Sequence, residues 1–282
     1  MNLDEILPKR GPSKFEVSKY LKKYINENIV IKCGGSVLDD GNLFDDFISD
    51  VAVLKKLNFN PIVIHGGGKK ISSKLESLNI KSNFIDGSRV SSANIINIIE
   101  DVLIKLNLDI SISLKKLSCK VESITSKERN IIYVTQESKK LGFVGKPRKI
   151  EIEILKDIIS SGKVPIISPL GLDENGQVLN INADTVAGSI AKELKARRLI
   201  IVSDVEGVLD ENSNLISEIN NQTASDMIKN KIISGGMIPK IKNCLEVADK
   251  GVKGVVIIDG KKKHSILFEL LSDKGSGTLI RK

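Results

Sequence analysis

Pro61-Ile62-Val63-Ile64-His65-Gly66-Gly67-Gly68 decides how this chain folds. An apolar run ends in three glycines, and Ile71, Leu75 and Leu78 follow at a spacing that shares one helical face. A short run that is apolar on both faces reads as a strand covered from above and below. Strand, glycine turn and helix together form the repeating unit of a parallel sheet with helices on both sides. Glycines at such a turn bring bare backbone N–H groups up to a bound anion, at the end of a helix that attracts one.

The same unit recurs in both directions along the chain. Upstream, residues 29–32 read as a strand ending in Ile31-Lys32-Cys33-Gly34-Gly35, and 43–57 as a helix. Before them lies a polar segment, 1–28, in which Val17, Tyr20, Leu21 and Tyr24 fall at helical spacing. It predicts a short amphipathic helix, packed on its own domain or on a second copy of the chain. Downstream, 91–106 is helical with Ser91 and Ser92 as caps. Residues 131–135 form a strand, 141–149 a glycine-bearing excursion, and 151–161 a helix. Strands at 164–168 and 177–182 precede a helix at 183–194 and a strand at 199–203. The chain closes with a helix at 237–250, a strand at 255–258, a helix at 265–271 and a strand at 278–280. The expectation is an α/β fold, a three-layer αβα sandwich around a central, mainly parallel sheet. No linker divides the chain, so two lobes on one continuous sheet are expected: 1–28 as a helical extension, 29–184 as an N-lobe, 185–282 as a C-lobe.

Composition narrows the function. The 282 residues are 41% hydrophobic, enough for a sizeable core, and carry a net charge of +8. The lysines are spread among acids rather than gathered in a stripe, and the chain has no Trp. Nucleic-acid binding is therefore not expected, whereas small anionic substrates suit the charge. No apolar run is long enough for a membrane span, and the first residues, with Asp4 and Glu5, lack the apolar stretch of a signal peptide. Cys33, Cys119 and Cys244 are odd in number and far apart, which suits free thiols in a reducing cytoplasm.

The chemistry points to phosphoryl transfer without the usual loops. GxxxxGK[ST], GxGxxG and the HRD and DFG strings are all absent. With two histidines and no closely spaced cysteines, no protein-held metal is expected. Lys32 closes an apolar strand, where an ammonium is costly unless it meets an anion. Lys240, in Gly235-Gly236-Met237-Ile238-Pro239-Lys240, stands at a helix start, because Pro239 suits a first helical turn. Asn180-Ile181-Asn182-Ala183-Asp184 leads into another helix, with Asn180 and Asn182 on one side of the strand. Asp184 caps that helix or holds the two lysines in place. Arg89, alone in a loop, suits a carboxylate clamp or a surface ion pair.

Taken together, these strings resemble the amino acid kinase family over about residues 20–280. They run Ile31-Lys32-Cys33-Gly34-Gly35, His65-Gly66-Gly67-Gly68, Gly87-Ser88-Arg89-Val90 and Gly142-Phe143-Val144-Gly145. Then come Asn180-Ile181-Asn182-Ala183-Asp184, Ser203-Asp204-Val205-Glu206-Gly207, the Lys240 string and Gly275-Ser276-Gly277-Thr278. The resemblance implies the fold of that family, ATP as phosphoryl donor, and Mg²⁺ held mainly by the nucleotide phosphates. For the branch that the motifs match best, it implies phosphorylation of the γ-carboxylate of N-acetyl-L-glutamate, in arginine biosynthesis in the cytoplasm. By similarity, Lys32 and Lys240 stabilise the transferring group and Asp184 organises them. Gly34, Gly35, Gly66 and Gly67 would donate backbone N–H bonds, and Asp204 would border the nucleotide. Gly66, Gly67, Arg89, Asn180 and Asn182 would hold the acceptor. The N-lobe would bind the acceptor and dimerise, and the C-lobe would bind the nucleotide.

A subgroup of the family adds an N-terminal helix, forms hexamers and is inhibited by L-arginine. Tyr20, His264, Glu269 and Gly275 match its arginine region, so a homo-oligomer, at least a dimer and in that subgroup a hexamer, is implied. The departures are Cys33 for a larger residue, Lys69 where proline is usual and Ser91 where threonine is common. Other kinases of the family, or a silent amino-acid sensor, share many of these residues. Retention of both lysines and Asp184 speaks against silence.

Overall fold

The computed structural model describes residues 2–85 and 87–282. The chain opens with α1 (Leu3–Ile6), α2 (Lys14–Tyr24), β1 (Asn28–Cys33), a 3₁₀ turn at Gly35–Leu38, and α3 (Gly41–Lys56). Next come β2 (Asn60–His65), α4 (Gly68–Ser77), the hairpin strands β3 (Phe84–Ile85) and β4 (Ser88–Arg89), and α5 (Ala93–Lys116). The middle holds β5 (Val121–Ile124), β6 (Ile132–Gln136), β7 (Gly145–Ile150), α6 (Ile152–Ser160) and β8 (Val164–Ile167). After β9 (Leu170–Leu172) and β10 (Val178–Asn180) come α7 (Ala183–Glu193), β11 (Arg198–Ser203), β12 (Glu218–Ile219) and α8 (Asn221–Lys229). The last elements are α9 (Met237–Asp249), β13 (Val255–Asp259), α10 (Ser265–Leu271) and β14 (Gly277–Ile280).

Eight strands form one sheet in the order β12-β14-β13-β11-β1-β2-β8-β5. Only the β13–β14 pair is antiparallel. Side-chain alternation sorts the core into two layers. Val30, Ile62, Ile64, Leu199, Ile201, Val255 and Ile257 face one core cluster, which includes Leu155, Val186, Ile190, Ile241 and Leu245 of α6, α7 and α9. Ile29, Ile31, Val63, Ile200, Val202, Val256 and Ile258 face the other, with Phe47, Val51, Leu106, Ile110 and Leu267 of α3, α5 and α10. The expected three-layer sandwich is therefore present, and the eight-stranded sheet is continuous. Beside it lies a four-stranded sheet, β10-β9-β6-β7, that absorbs the 141–149 excursion.

Several boundaries differ from the expectation. α5 continues well past residue 106, to Lys116. Leu78 does not share the buried face of Ile71 and Leu75; it is the exposed C-cap of α4. The strand expected at 177–182 stops at Asn180, because Asn182 turns the chain into α7 as its N-cap. The helix expected in the extension forms as α2, opened by a capping box between Ser13 and Glu16. Its Val17 and Tyr24 are buried within this chain, Tyr24 against the Phe59 ring at 5.7 Å, while Phe15 is 80% exposed. Among the described residues, no helix is long and apolar enough to cross a membrane.

Candidate active site

The carboxyl ends of parallel strands are where ligands bind in open α/β sheets. Here those ends open into a cleft of about 960 Å³. Lys32 lines it from β1, Gly66–Gly68 from the turn after β2, Arg89 from β4, and Asn180, Asn182 and Asp184 from the β10–α7 junction. Its charged lining residues are Lys32, Lys69, Lys70 and Arg89 against Asp39 and Asp184, four cations to two carboxylates. Such a surplus draws anionic ligands.

The two glycine turns lean on each other. A Cβ on Gly66 would sit 3.4 Å from Gly34 Cα, and one on Gly34 would sit 3.2 Å from Lys32 Nζ. Gly35 has φ +62°, and a Cβ there would lie 2.9 Å from both carboxylate oxygens of Asp204. The Gly66 N–H donates to the Cys33 carbonyl at 2.6 Å. Gly66 is therefore not a free donor to a ligand, contrary to the expectation from the sequence. No acceptor engages the Gly67 N–H among the described residues.

Lys32 and Asp184 form the ionic centre, with Nζ 3.1 Å from Oδ1. Asn182 positions Asp184: its Oδ1 accepts from the Asp184 and Thr185 N–H groups at 2.8 and 3.3 Å. The capping role thus falls to Asn182, and Asp184 is left to face the cleft from the first turn of α7. Asp184 Oδ1 is buried and, despite the ion pair, has no hydrogen-bond partner of good angle. Lys240 differs from expectation. Its ammonium donates to Ser203 Oγ at 3.1 Å, at the end of β11, and no ion pair joins it to Asp184 among the described residues. Asp184 holds one lysine, not two, because the first turn of α9 aims Lys240 at the neighbouring strand.

Asp204 follows β11 and lies beside the main cleft. Ser36 donates to its Oδ1 through Oγ and N–H, which holds the carboxyl below its usual range. Lys69 Nζ stands 3.8 Å from its Oδ2. Ser36, Lys69 and Lys70 thus join the site although the sequence reading gave them no role in it. The lysine pair directly after the triple glycine was the available signal.

Arg89 is not at the surface. It is 7% exposed, and its guanidinium donates to the Gly68 carbonyl at 3.0 Å, to Ser72 Oγ at 2.8 Å and to Ser82 Oγ. The Phe84 ring covers it at 4.6 Å. Among the described residues no carboxylate lies within 4 Å of it. A buried guanidinium held by neutral groups retains unspent charge for an anion.

The residues matched to an arginine region lie elsewhere. Tyr20 donates to Asp273 at 2.6 Å, and Glu269 accepts from the Ser276 N–H at 2.9 Å, beside Gly275. His264 Nδ1 meets Asp50 of α3 at 2.7 Å, and the carbonyl of the adjacent Ser265 accepts from Ser276 Oγ at 2.7 Å. Cys33 is fully buried, which pushes its thiol pKa up and leaves it inert beside Lys32.

His65 is buried beneath the second glycine turn, and burial pulls its pKa from 6.5 down to about 4. The folded value lies below the unfolded one, so its contribution is present above pH 6.5 and lost as pH falls towards 4. The full shift corresponds to ~3 kcal/mol. Thermal midpoints are expected to fall across that window, and less steeply in His65→Asn. An identical slope in the variant would assign the acid lability to other groups.

A cationic cleft with glycine turns and a lysine–aspartate pair, at the carboxyl edge of a parallel sheet, is built for phosphoryl groups. The chain belongs to the amino acid kinase family, whose profile matches residues 27–259. It is 65% identical to the acetylglutamate kinase of Pelagibacter ubique, over 99% of this chain and 97% of that protein. It is 40% identical to the acetylglutamate kinase of Gluconobacter oxydans, over 93% and 94%. Among solved structures, N-acetylglutamate synthase from Neisseria gonorrhoeae, complexed with coenzyme A and N-acetyl-glutamate, superposes with a TM-score of 0.86 at 20% identity. That match covers 95% of this chain and 62% of the synthase chain, and at such identity it speaks for the fold alone.

Proposed function

We propose that the chain transfers the γ-phosphoryl group of ATP to the γ-carboxylate of N-acetyl-L-glutamate, forming an acyl phosphate in arginine biosynthesis in the cytoplasm. The carrying observation is the Lys32–Asp184 pair facing an anion-seeking Arg89 across one cleft, in a chain 65% identical to an acetylglutamate kinase along its whole length. The acceptor has a pKa of about 4.3 and is ionised at neutral pH, so no general base is required. What remains is in-line placement and charge neutralisation. Arg89 takes a carboxylate of the acceptor, and Asn180 and Asn182 offer amides to its polar groups. Lys32 meets the transferring phosphoryl group from the acceptor side, and Lys240, tethered to Ser203, from the nucleotide side with Asp204 beside it. Mg²⁺ would be held mainly by the nucleotide phosphates. Asp184, whose Oδ1 has an ion-pair partner in Lys32 but no hydrogen bond, would be the carboxylate able to accept from its water.

Hydroxylamine trapping tests this reading with ATP, Mg²⁺ and either N-acetyl-L-glutamate or free L-glutamate. Hydroxamate from the acetylated acceptor is expected. Product from glutamate alone would reassign the acceptor, and none from either would point to a sensor.

The extension supports a further part of the proposal: feedback by L-arginine on a homo-oligomer, a hexamer in which α2 reaches a second copy. The exposed Phe15 and the Tyr20, Glu269 and Gly275 group favour it. Deleting residues 1–24 should lower the assembly to dimers and abolish inhibition by arginine. An unchanged mass by light scattering would refute the role of the extension.

A further inference from the structure

Three side chains that never touch the cleft form a closed network below it. His65, Asn107 and Ser168 are 0%, 0% and 1% exposed. His65 Nδ1 lies 3.0 Å from the Gly66 carbonyl, and Nε2 lies 3.0 Å from Ser168 Oγ and 3.3 Å from Asn107 Nδ2. Asn107 comes from α5, and Ser168 follows β8.

The network has one consistent set of protons. Asn107 Nδ2 donates to the Ile166 carbonyl at 2.9 Å, with the Ile124 carbonyl at 3.4 Å, and backbone carbonyls only accept. The reversed amide would set oxygen against oxygen. Ser123 Oγ completes the arrangement by donating to Asn107 Oδ1 at 2.7 Å. Asn107 therefore turns its amide nitrogen toward Nε2 and Ser168 Oγ. Because Nδ1 faces the Gly66 carbonyl, which only accepts, the ring proton sits on Nδ1 and Nε2 is left as the acceptor. Nδ1–H then donates to the Gly66 carbonyl. A trans peptide points its carbonyl and its N–H in opposite directions. With the Gly66 carbonyl held down into the core, the Gly67 N–H of the same peptide is turned up toward the cleft. Nothing else claims that N–H among the described residues.

We propose that His65, its ring held by Asn107 and Ser168 with Nδ1–H on the Gly66 carbonyl, is a positioning residue that aims the Gly67 N–H at the transferring phosphoryl group. The proposal rests on the phosphoryl-transfer reading above. It explains why a buried imidazole stands directly before the glycines: a neutral Nδ1–H donor is what that carbonyl requires. An asparagine at this position can offer its amide where Nδ1 stands, whereas leucine offers nothing.

The test has two arms. In the first, His65→Leu and His65→Asn are assayed by hydroxamate formation per folded molecule. His65→Leu should lower kcat about fiftyfold, approaching the hundredfold or more lost when such a donor is removed outright. KM for acetylglutamate should stay within about threefold, and His65→Asn should recover kcat to within about fivefold of wild type. A folded His65→Leu within threefold of wild type in kcat overturns the proposal, as does His65→Asn as slow as His65→Leu. The second arm uses the wild-type protein with ¹⁵N-labelled histidine, whose imidazole nitrogens report the tautomer even where a variant does not fold. The chain has two histidines, and His264→Gln assigns the signals. A protonated Nδ1 with a bare Nε2 supports the proposal, and a protonated Nε2 overturns it. A wild-type protein that forms no hydroxamate would instead sink the kinase reading and leave the tautomer result standing.

Discussion

Lys32→Ala is expected to lower kcat for acyl phosphate formation by about a hundredfold or more, with KM for N-acetyl-L-glutamate little changed. Lys32 stands next to last in β1, among the buried Ile29, Val30, Ile31 and Cys33, and among the described residues its ammonium has one ionic partner, Asp184 at 3.1 Å. In the reaction, negative charge shifts through the transferring phosphoryl group, and a fixed cation nearby stabilises that arrangement more than the ground state. Removing one such preorganised charge typically costs a factor of 10²–10³, as for an oxyanion-hole donor. The substitution also leaves the Asp184 carboxylate unbalanced in a cleft meant for anions. Lys32→Ala and Asp184→Ala should therefore be far from additive. Lys32→Arg should not restore the rate, since a planar fork cannot occupy the place of a compact ammonium beside Gly34. Steady-state rates by hydroxamate trapping decide the matter. A kcat within threefold of wild type would remove Lys32 from the chemistry.

Arg89→Ala should act on the other kinetic parameter. KM for N-acetyl-L-glutamate is expected to rise about a hundredfold while KM for ATP stays within a few-fold. The guanidinium is desolvated, which lowers its pKa, and among the described residues its partners are neutral: Gly68, Ser72 and Ser82. Truncating one side of a buried, hydrogen-bonded charge pair costs ~2–5 kcal/mol, and a hundredfold corresponds to ~3. Arg89→Lys should fall short of rescue because three separated acceptors need a forked donor. Far-ultraviolet circular dichroism of the variant separates lost binding from lost folding, since Arg89 also fastens the β3–β4 hairpin to α4. Equal rises in both KM values would argue that the residue shapes the cleft rather than gripping the acceptor.

The central strands were legible because they are apolar on both faces. β1, β2 and β13 also run straight into glycine, and β11 needed only its apolar run. α5 was read too short for a physical reason. Its continuation carries Asn107 and Ser111 on the buried face, 0% and 2% exposed, where a pattern search expects apolar side chains. Asn107 is polar there because it serves the network under the glycines, so the misread boundary and the hidden function share one cause. β5 was missed since Glu122 interrupts it, paired with Arg129 and Lys163. α8 was missed because only Ala224 on it is buried. In the site, residue types were readable but partners were not. Nothing along the chain indicates that Lys240 meets Ser203 rather than Asp184, or that Gly66 spends its N–H on Cys33. Such pairings arise from which strand ends lie side by side, and only the folded sheet sets them.

The Gly66–Cys33 bond has a consequence for anyone wishing to redirect this protein to a different acceptor. It welds the turn after β1 to the turn after β2, so neither can be reshaped alone, and loop grafting there would disturb both substrates at once. The Arg89 end meets that turn through the Gly68 carbonyl. It hangs from a two-by-two-residue hairpin and the first two turns of α4, joined by side-chain bonds. Libraries aimed at residues 72, 82 and 84 would vary what is recognised around Arg89 while its bond to Gly68, and so the glycine turn, stays in place.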